Sequence, residues 1–81
     1  MDRQALRDTV IAKLTAIAPE VDGDQLVPDL PLREQVDLDS MDWLNFLIGL
    51  HEKLAIEIPE ADYAQLRTLD NLLDYLAARL P

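Results

Sequence analysis

Val36-Asp37-Leu38-Asp39-Ser40-Met41-Asp42-Trp43-Leu44-Asn45-Phe46-Leu47-Ile48-Gly49-Leu50 (residues 36–50) changes character near its start. Up to Asp39 it is acidic and aperiodic; beyond Ser40 apolar residues recur at helical spacing. A helix is therefore expected to begin at Ser40 or Met41 and to run to Leu54. On a wheel of roughly 100° per residue its polar arc is narrow, holding Asp42, Asn45, Gly49, Glu52 and Lys53. Trp43, Phe46, Leu47, Leu50 and Leu54 form the centre of the apolar arc and should face a core. Met41, Leu44 and Ile48, joined by His51, flank them. One buried face needs less than this, so a stripe beside Ser40 is left for a partner or for a covering loop. Ser40 has two readings of its own. Its oxygen can cap the helix, or it can carry a phosphate at the helix's positive end.

Upstream, Leu6, Val10, Leu14 and Ile17 mark one face of a first helix over Arg3 to Ala18, with Asp2 as cap and Pro19 as stop. Residues 19–38 contain Gly23, Pro28 and Pro31 and no long periodic run. So long a connection in a small domain must be tied down. Val21, Leu26, Val27, Leu30, Leu32 and Val36 are available for that, and a single helical turn is expected near Leu32–Val36. Downstream, Ile56-Glu57-Ile58-Pro59 alternates like a strand but has no second strand to pair with. A short third helix should follow, from Glu60 or Asp62 to Leu66. Thr68 should cap a fourth over Leu69 to Leu80, with Leu69, Leu72, Leu73, Leu76 and Leu80 inward. The expected fold is all-α: a small four-helix bundle with a long ordered loop between its first two helices.

Composition agrees with that fold. Eighty-one residues, 49% of them hydrophobic but only 5% aromatic, allow one core, so residues 1–81 are read as a single domain. Charge is uneven along the chain. Residues 20–62 hold twelve carboxylates against two cations, whereas the two ends hold five cations against four acids. The net charge of −9 argues against nucleic acid and anionic membranes, and for basic protein partners steered to the middle of the chain. With no cysteine, no apolar run long enough to span a bilayer and no secretion-type start, the chain reads as soluble and cytoplasmic.

Catalytic and metal chemistry finds little support. His51, the one histidine, lies eleven residues beyond Ser40 on the same expected helix, about 16 Å along its axis. No Ser–His pair can form within that helix. Zinc lacks ligands, and no metal site is expected. Asp37-x-Asp39 begins like a calcium loop, but Met41 and Asp42 stand where that pattern wants a polar ligand and a glycine. No glycine-rich loop is present to cradle a phosphate. The chain is not read as an enzyme.

With those options gone, the sequence resembles the acyl carrier protein family over nearly its whole length. The resemblance rests on Asp39-Ser40-Met41 after Leu32 to Leu38, on Ile56-Glu57-Ile58-Pro59-Glu60, and on Thr68-Leu69-Asp70-Asn71-Leu72-Leu73-Asp74-Tyr75-Leu76. It implies that a phosphopantetheinyl transferase moves 4′-phosphopantetheine from coenzyme A onto the Ser40 hydroxyl. The arm's thiol then holds acyl groups as thioesters for acyl-loading and acyl-transfer enzymes with basic docking patches. Asp37, Asp39, Met41, Asp42, Leu44, Ile48 and Glu52 are the implied motif and recognition residues. Positions matching the family's acyl pocket are Leu47, Leu50, Leu54, Ile58 and Leu66, with Trp43 and Tyr63 at its mouth. The implied protein is a monomeric carrier for fatty-acid or polyketide-type synthesis, without nucleic-acid or membrane partners.

The sequence also departs from the family. Asp37 replaces the usual glycine before the motif. Asn45 and His51 stand where fatty-acid carriers are commonly acidic, and Trp43 and Tyr63 are larger than usual. If those two rings close the pocket mouth, short or unusual acyl groups are preferred. Two alternatives stay open: an aminoacyl or peptidyl carrier of nonribosomal type, and an unmodified helical adaptor in which Ser40 is only a cap.

Overall fold

The computed structural model describes residues 1–80, and it is helical as expected. Helix α1 spans Arg3–Ile17, α2 is one turn over Leu32–Gln35, α3 spans Ser40–Leu54 and α4 spans Leu69–Arg79. Two 3-10 segments complete the order, Gly23–Gln25 before α2 and Glu60–Gln65 between α3 and α4. The third helix of the sequence reading is thus a 3-10 helix, begun after Pro59 and ended at Leu66, whose amide donates to the Tyr63 carbonyl.

Helix α1 starts where the Asp2 carboxylate accepts the Ala5 amide at 2.7 Å, and ends one residue before Ala18. Leu6, Val10 and Leu14 are buried on the face that packs against both α3 and α4. From α3 come Trp43, Phe46, Leu47 and Leu50, the first two with ring centroids 5.2 Å apart. From α4 come Leu69, Leu72, Leu73, Tyr75 and Leu76. Thr68 caps α4 as expected: its hydroxyl accepts the Asn71 amide, and its own amide donates to Oδ1 of Asn71, a reciprocal pair that satisfies two donors. Leu80 falls just beyond the helix as its cap residue.

The long connection is ordered by both apolar and polar anchors. Leu26, Leu32, Val36 and Leu38 are buried, and the single turn near Leu32 is present. Val27 and Leu30, offered by the sequence as anchors, are exposed instead. The segment is held through its backbone, by the carboxamide of Gln35. Its oxygen accepts the Val27 amide at 2.7 Å, and its nitrogen donates to the Val27 and Leu30 carbonyls, both at 2.9 Å. The same loop is fastened to the start of α4. The Leu32 amide donates to the Arg67 carbonyl at 2.8 Å, and the Asp70 amide donates to the Pro28 carbonyl at 3.0 Å. The second bond gives the loop one of the free donors that every helix start exposes. Gly23 is needed where it stands, since a Cβ there would lie 2.8 Å from Cγ2 of Ile11.

Beyond α3 the chain turns through Ala55, the one non-glycine residue with positive φ among those described (φ 54°). His51 holds this turn by donating from Nδ1 to the Ile56 carbonyl at 2.6 Å. A carbonyl only accepts, so Nδ1 carries the proton. Ile56 and Ile58 then bury their side chains, and no strand forms across them. The 3-10 helix is locked onto α4 by the Tyr75 hydroxyl, which donates to Asp62 at 2.5 Å. Arg79 stacks 3.5 Å from the centroid of the Tyr75 ring.

Two outcomes are expected. Ala55→Gly should raise the stability of the fold by about 0.5–1 kcal/mol in urea unfolding, because glycine adopts positive φ without a Cβ clash. Burial and the Asp62 hydrogen bond push the Tyr75 phenol above its usual value of 10.0, and the nearby Arg79 charge opposes them. Stability from such a group is whole below its unfolded value and disappears as pH rises through the folded one. Urea midpoints should therefore fall further between about pH 9 and pH 11 in the natural chain than in Tyr75→Phe. Parallel curves would remove Tyr75 as the source.

Candidate functional site

The approach to Ser40 is set by two local devices. Leu38 donates its amide to the Val36 carbonyl at 2.8 Å, a three-residue turn centred on Asp37. Asp37 makes it at negative φ, the inverse form of that turn, so no glycine is required. Leu38 is thereby pulled into the core while Asp37 and Asp39 stay outside.

Asp39 then caps α3. Its carboxylate accepts the Asp42 amide at 2.8 Å, and its carbonyl accepts the Trp43 amide at 3.0 Å. Ser40 is the first residue inside the helix, not its cap. Its side chain is exposed and its hydroxyl has no hydrogen-bond partner among the described residues. The capping role that the sequence left open for Ser40 is filled by its neighbour, because the carboxylate one residue earlier reaches the amide of the third residue on. A hydroxyl so placed is free to react. It is an acceptable anchor for a phosphodiester, since the amides of Ser40 and Met41 find no protein acceptor and the helix start favours negative charge. Asp37, Asp39 and Asp42 crowd the same spot, so a phosphate there is better placed pointing into water than lying on the protein.

The residues flanking Ser40 divide between surface and interior. Met41, Leu44 and Ile48 are 64%, 36% and 41% exposed and follow one edge of α3; the long loop leaves them uncovered. Asp37, Asp39 and Glu52 are exposed, and Asp42 is half-buried. His51, at the same edge, has its ring tied to Ile56 by one nitrogen.

The residues matched to an acyl pocket do not share one cavity. Trp43, Tyr63 and Leu66 line a cleft of about 560 Å³ together with Pro31, Arg33, Glu34, Leu38, Ala64 and Arg67. Leu47, Ile58 and Tyr63 line a separate hollow of about 150 Å³ with Ile48, His51, Glu57 and Pro59. Tyr63 stands between the two. Leu50 is wholly buried and Leu54 half-buried, and neither lines either space. The two arginines in the larger cleft were not singled out by the sequence, because Arg33 and Arg67 are distant in the chain. The fastening of the loop to the start of α4, through the Leu32–Arg67 and Asp70–Pro28 backbone bonds, brings them to one place. No cluster of three potential metal ligands occurs among the described residues, and no described helix is long and apolar enough to cross a membrane.

Residues 5–76 match the model of a family described as the phosphopantetheine attachment site. Similar proteins include the acyl carrier proteins of Thermosynechococcus vestitus and Rubrobacter xylanophilus. The first is 29% identical over 83% of this chain and 86% of its own length; the second is 29% identical over 94% and 93%. The meromycolate extension acyl carrier protein of Mycolicibacterium smegmatis is 28% identical over 89% of this chain and 76% of its own. In fold, the chain resembles the acyl carrier protein of Enterococcus faecalis with a TM-score of 0.74. That likeness has 20% identity and covers 98% of this chain and 99% of that one.

The division of labour between Asp39 and Ser40 has a measurable consequence. Asp39→Ala should cost about 1 kcal/mol of stability through loss of the cap, whereas Ser40→Ala should change it by less than about 0.5 kcal/mol. Urea unfolding of both variants checks this. The reverse order would return the cap to the serine.

Proposed function

The chain belongs to the phosphopantetheine-attachment family, and from that membership we propose that Ser40 is the residue that carries the group. Proteins of this kind are carriers rather than enzymes. The observation that carries the assignment is the exposed Ser40 hydroxyl, inside the first turn of α3 yet without a hydrogen-bond duty. A separate phosphopantetheinyl transferase supplies catalysis. The Ser40 oxygen attacks the phosphorus that bears the pantetheine of coenzyme A, the pyrophosphate bond breaks, and adenosine 3′,5′-bisphosphate leaves. The hydroxyl proton passes to a base of the transferase. Once attached, 4′-phosphopantetheine supplies a thiol that holds acyl cargo as a thioester, a group this cysteine-free chain does not itself have.

The cargo then passes between enzymes of fatty-acid or polyketide-type synthesis in the cytoplasm. Docking is assigned to the edge of α3. Met41, Leu44 and Ile48 offer apolar contact, and Asp37, Asp39, Asp42 and Glu52 offer charge to basic patches on each enzyme. Such attraction accelerates encounter and yields to salt, which suits a protein that must visit several partners and leave each. Asn45 and His51 thin the acidic rim in the middle of that edge, so the matching enzymes should carry fewer basic residues there.

Intact mass after incubation with coenzyme A, magnesium and a broad-specificity phosphopantetheinyl transferase tests the assignment. The chain should gain one phosphopantetheine, and Ser40→Ala none. An unchanged mass in the natural chain would leave an unmodified adaptor as the better reading, and a gain that survives Ser40→Ala would move the site elsewhere.

A further inference from the structure

The cleft lined by Leu38 and Trp43, which lie two residues before and three after Ser40 in the chain, has a charge opposite to that of the molecule. Arg33 and Arg67 both line it, against a single acid, Glu34, in a chain with a net charge of −9. Neither guanidinium has an ion pair or hydrogen bond among the described residues. The other arginines are engaged: Arg3 with Asp70 and Asp74, Arg7 with the Gly23 carbonyl, and Arg79 with Asp62 and Tyr75. Trp43, Tyr63 and Leu66 give the same cleft an aromatic and apolar wall. Trp43 is only 9% exposed, so its ring is held in place.

We propose that this cleft is a subsite for the far end of the cargo, and that it selects a short acyl group ending in a carboxylate. The proposal rests on the carrier reading of Ser40. Guanidinium groups are the best match among side chains for a carboxylate, which they can grip with two parallel hydrogen bonds. The Trp43 and Tyr63 rings receive the methylenes and the thioester. Neutral cargo gains only the wall; carboxylated cargo gains the wall and the two cations. Ser40 is not among the residues lining the cleft, so a phosphate on its oxygen starts outside, whereas the end of a flexible arm can enter. No bond is made or broken in this docking. Its effect is to shelter the thioester and to mark the loaded state for enzymes that use dicarboxylic units.

The test compares three forms of the protein: with the arm alone, with a succinyl arm, and with its methyl ester as neutral isostere. Each is made by the transferase from the matching coenzyme A derivative and confirmed by intact mass. The readouts are the indole N–H of Trp43, the single tryptophan, and the side-chain Nε–H signals of Arg33 and Arg67 in nitrogen–proton correlation spectra. The succinyl form should shift all three, with a docking constant roughly two- to fivefold above that of the ester, as for exposed charge pairs. The difference should vanish in Arg33→Gln/Arg67→Gln and shrink in high salt. Both side chains are exposed and the Arg67 carbonyl that holds Leu32 is unaltered by the substitution, so the double variant keeps the fold. Equal shifts for succinyl and ester, or a difference that survives the double variant, overturn the subsite and leave the carrier intact. Equal shifts with the bare arm assign the cations to its phosphate instead, and also overturn it. No mass gain at all overturns the carrier reading, and the subsite with it.

Discussion

Two backbone hydrogen bonds between the long loop and the start of α4 hold the working end of this molecule together. Leu32 donates to the Arg67 carbonyl, and Pro28 accepts from the Asp70 amide. A connection of some twenty residues has many ways to lie, and buried backbone without partners would be costly. Here the free donors of a helix start and the free backbone of the loop satisfy one another. Everything downstream inherits that placement. Gln35 can then gather Val27 and Leu30, Leu38 can reach the core, and Asp39 arrives where α3 must begin.

The junction at Asp39 and Ser40 separates two tasks that one residue could have combined. A serine that caps a helix has its oxygen occupied by an amide, and modifying it would remove a bond the fold uses. With the carboxylate of Asp39 in that role, the Ser40 oxygen can be altered without loss to the helix. The surrounding acids make the surface attractive to basic partners, at a cost in self-repulsion that a small core must offset. Under the attachment proposed for Ser40, the cap geometry explains how a modification there leaves the helix start intact.

Tyr63 and Tyr75 define the other side of the site. Tyr75, through Asp62 and Arg79, fixes the 3-10 helix against α4. Tyr63, on that helix, separates the larger cleft from the small hollow over Leu47 and Ile58. The residues matched to an acyl pocket are therefore divided between two spaces, and the larger of these two is lined by Leu38 and Trp43 near the start of α3. Polar and apolar residues share its lining.

Much was determined by sequence alone, because the signals concerned are local. Periodic leucines placed α1, α3 and α4, and Asp2 and Thr68 marked their own helices as caps. The end of the acidic run at Asp39 marked where α3 begins. Helix spacing and capping act within a turn or two, so neighbours in the chain suffice to decide them. Only the tertiary structure decided whether Asp39 or Ser40 caps α3, since both residue types serve and geometry selects one. It also decided that Val27 and Leu30 face solvent while Gln35, several residues away, holds their backbone. The meeting of Arg33 with Arg67 was beyond any local signal. It depends on a contact between segments more than thirty residues apart, and such contacts are set by how the whole core closes.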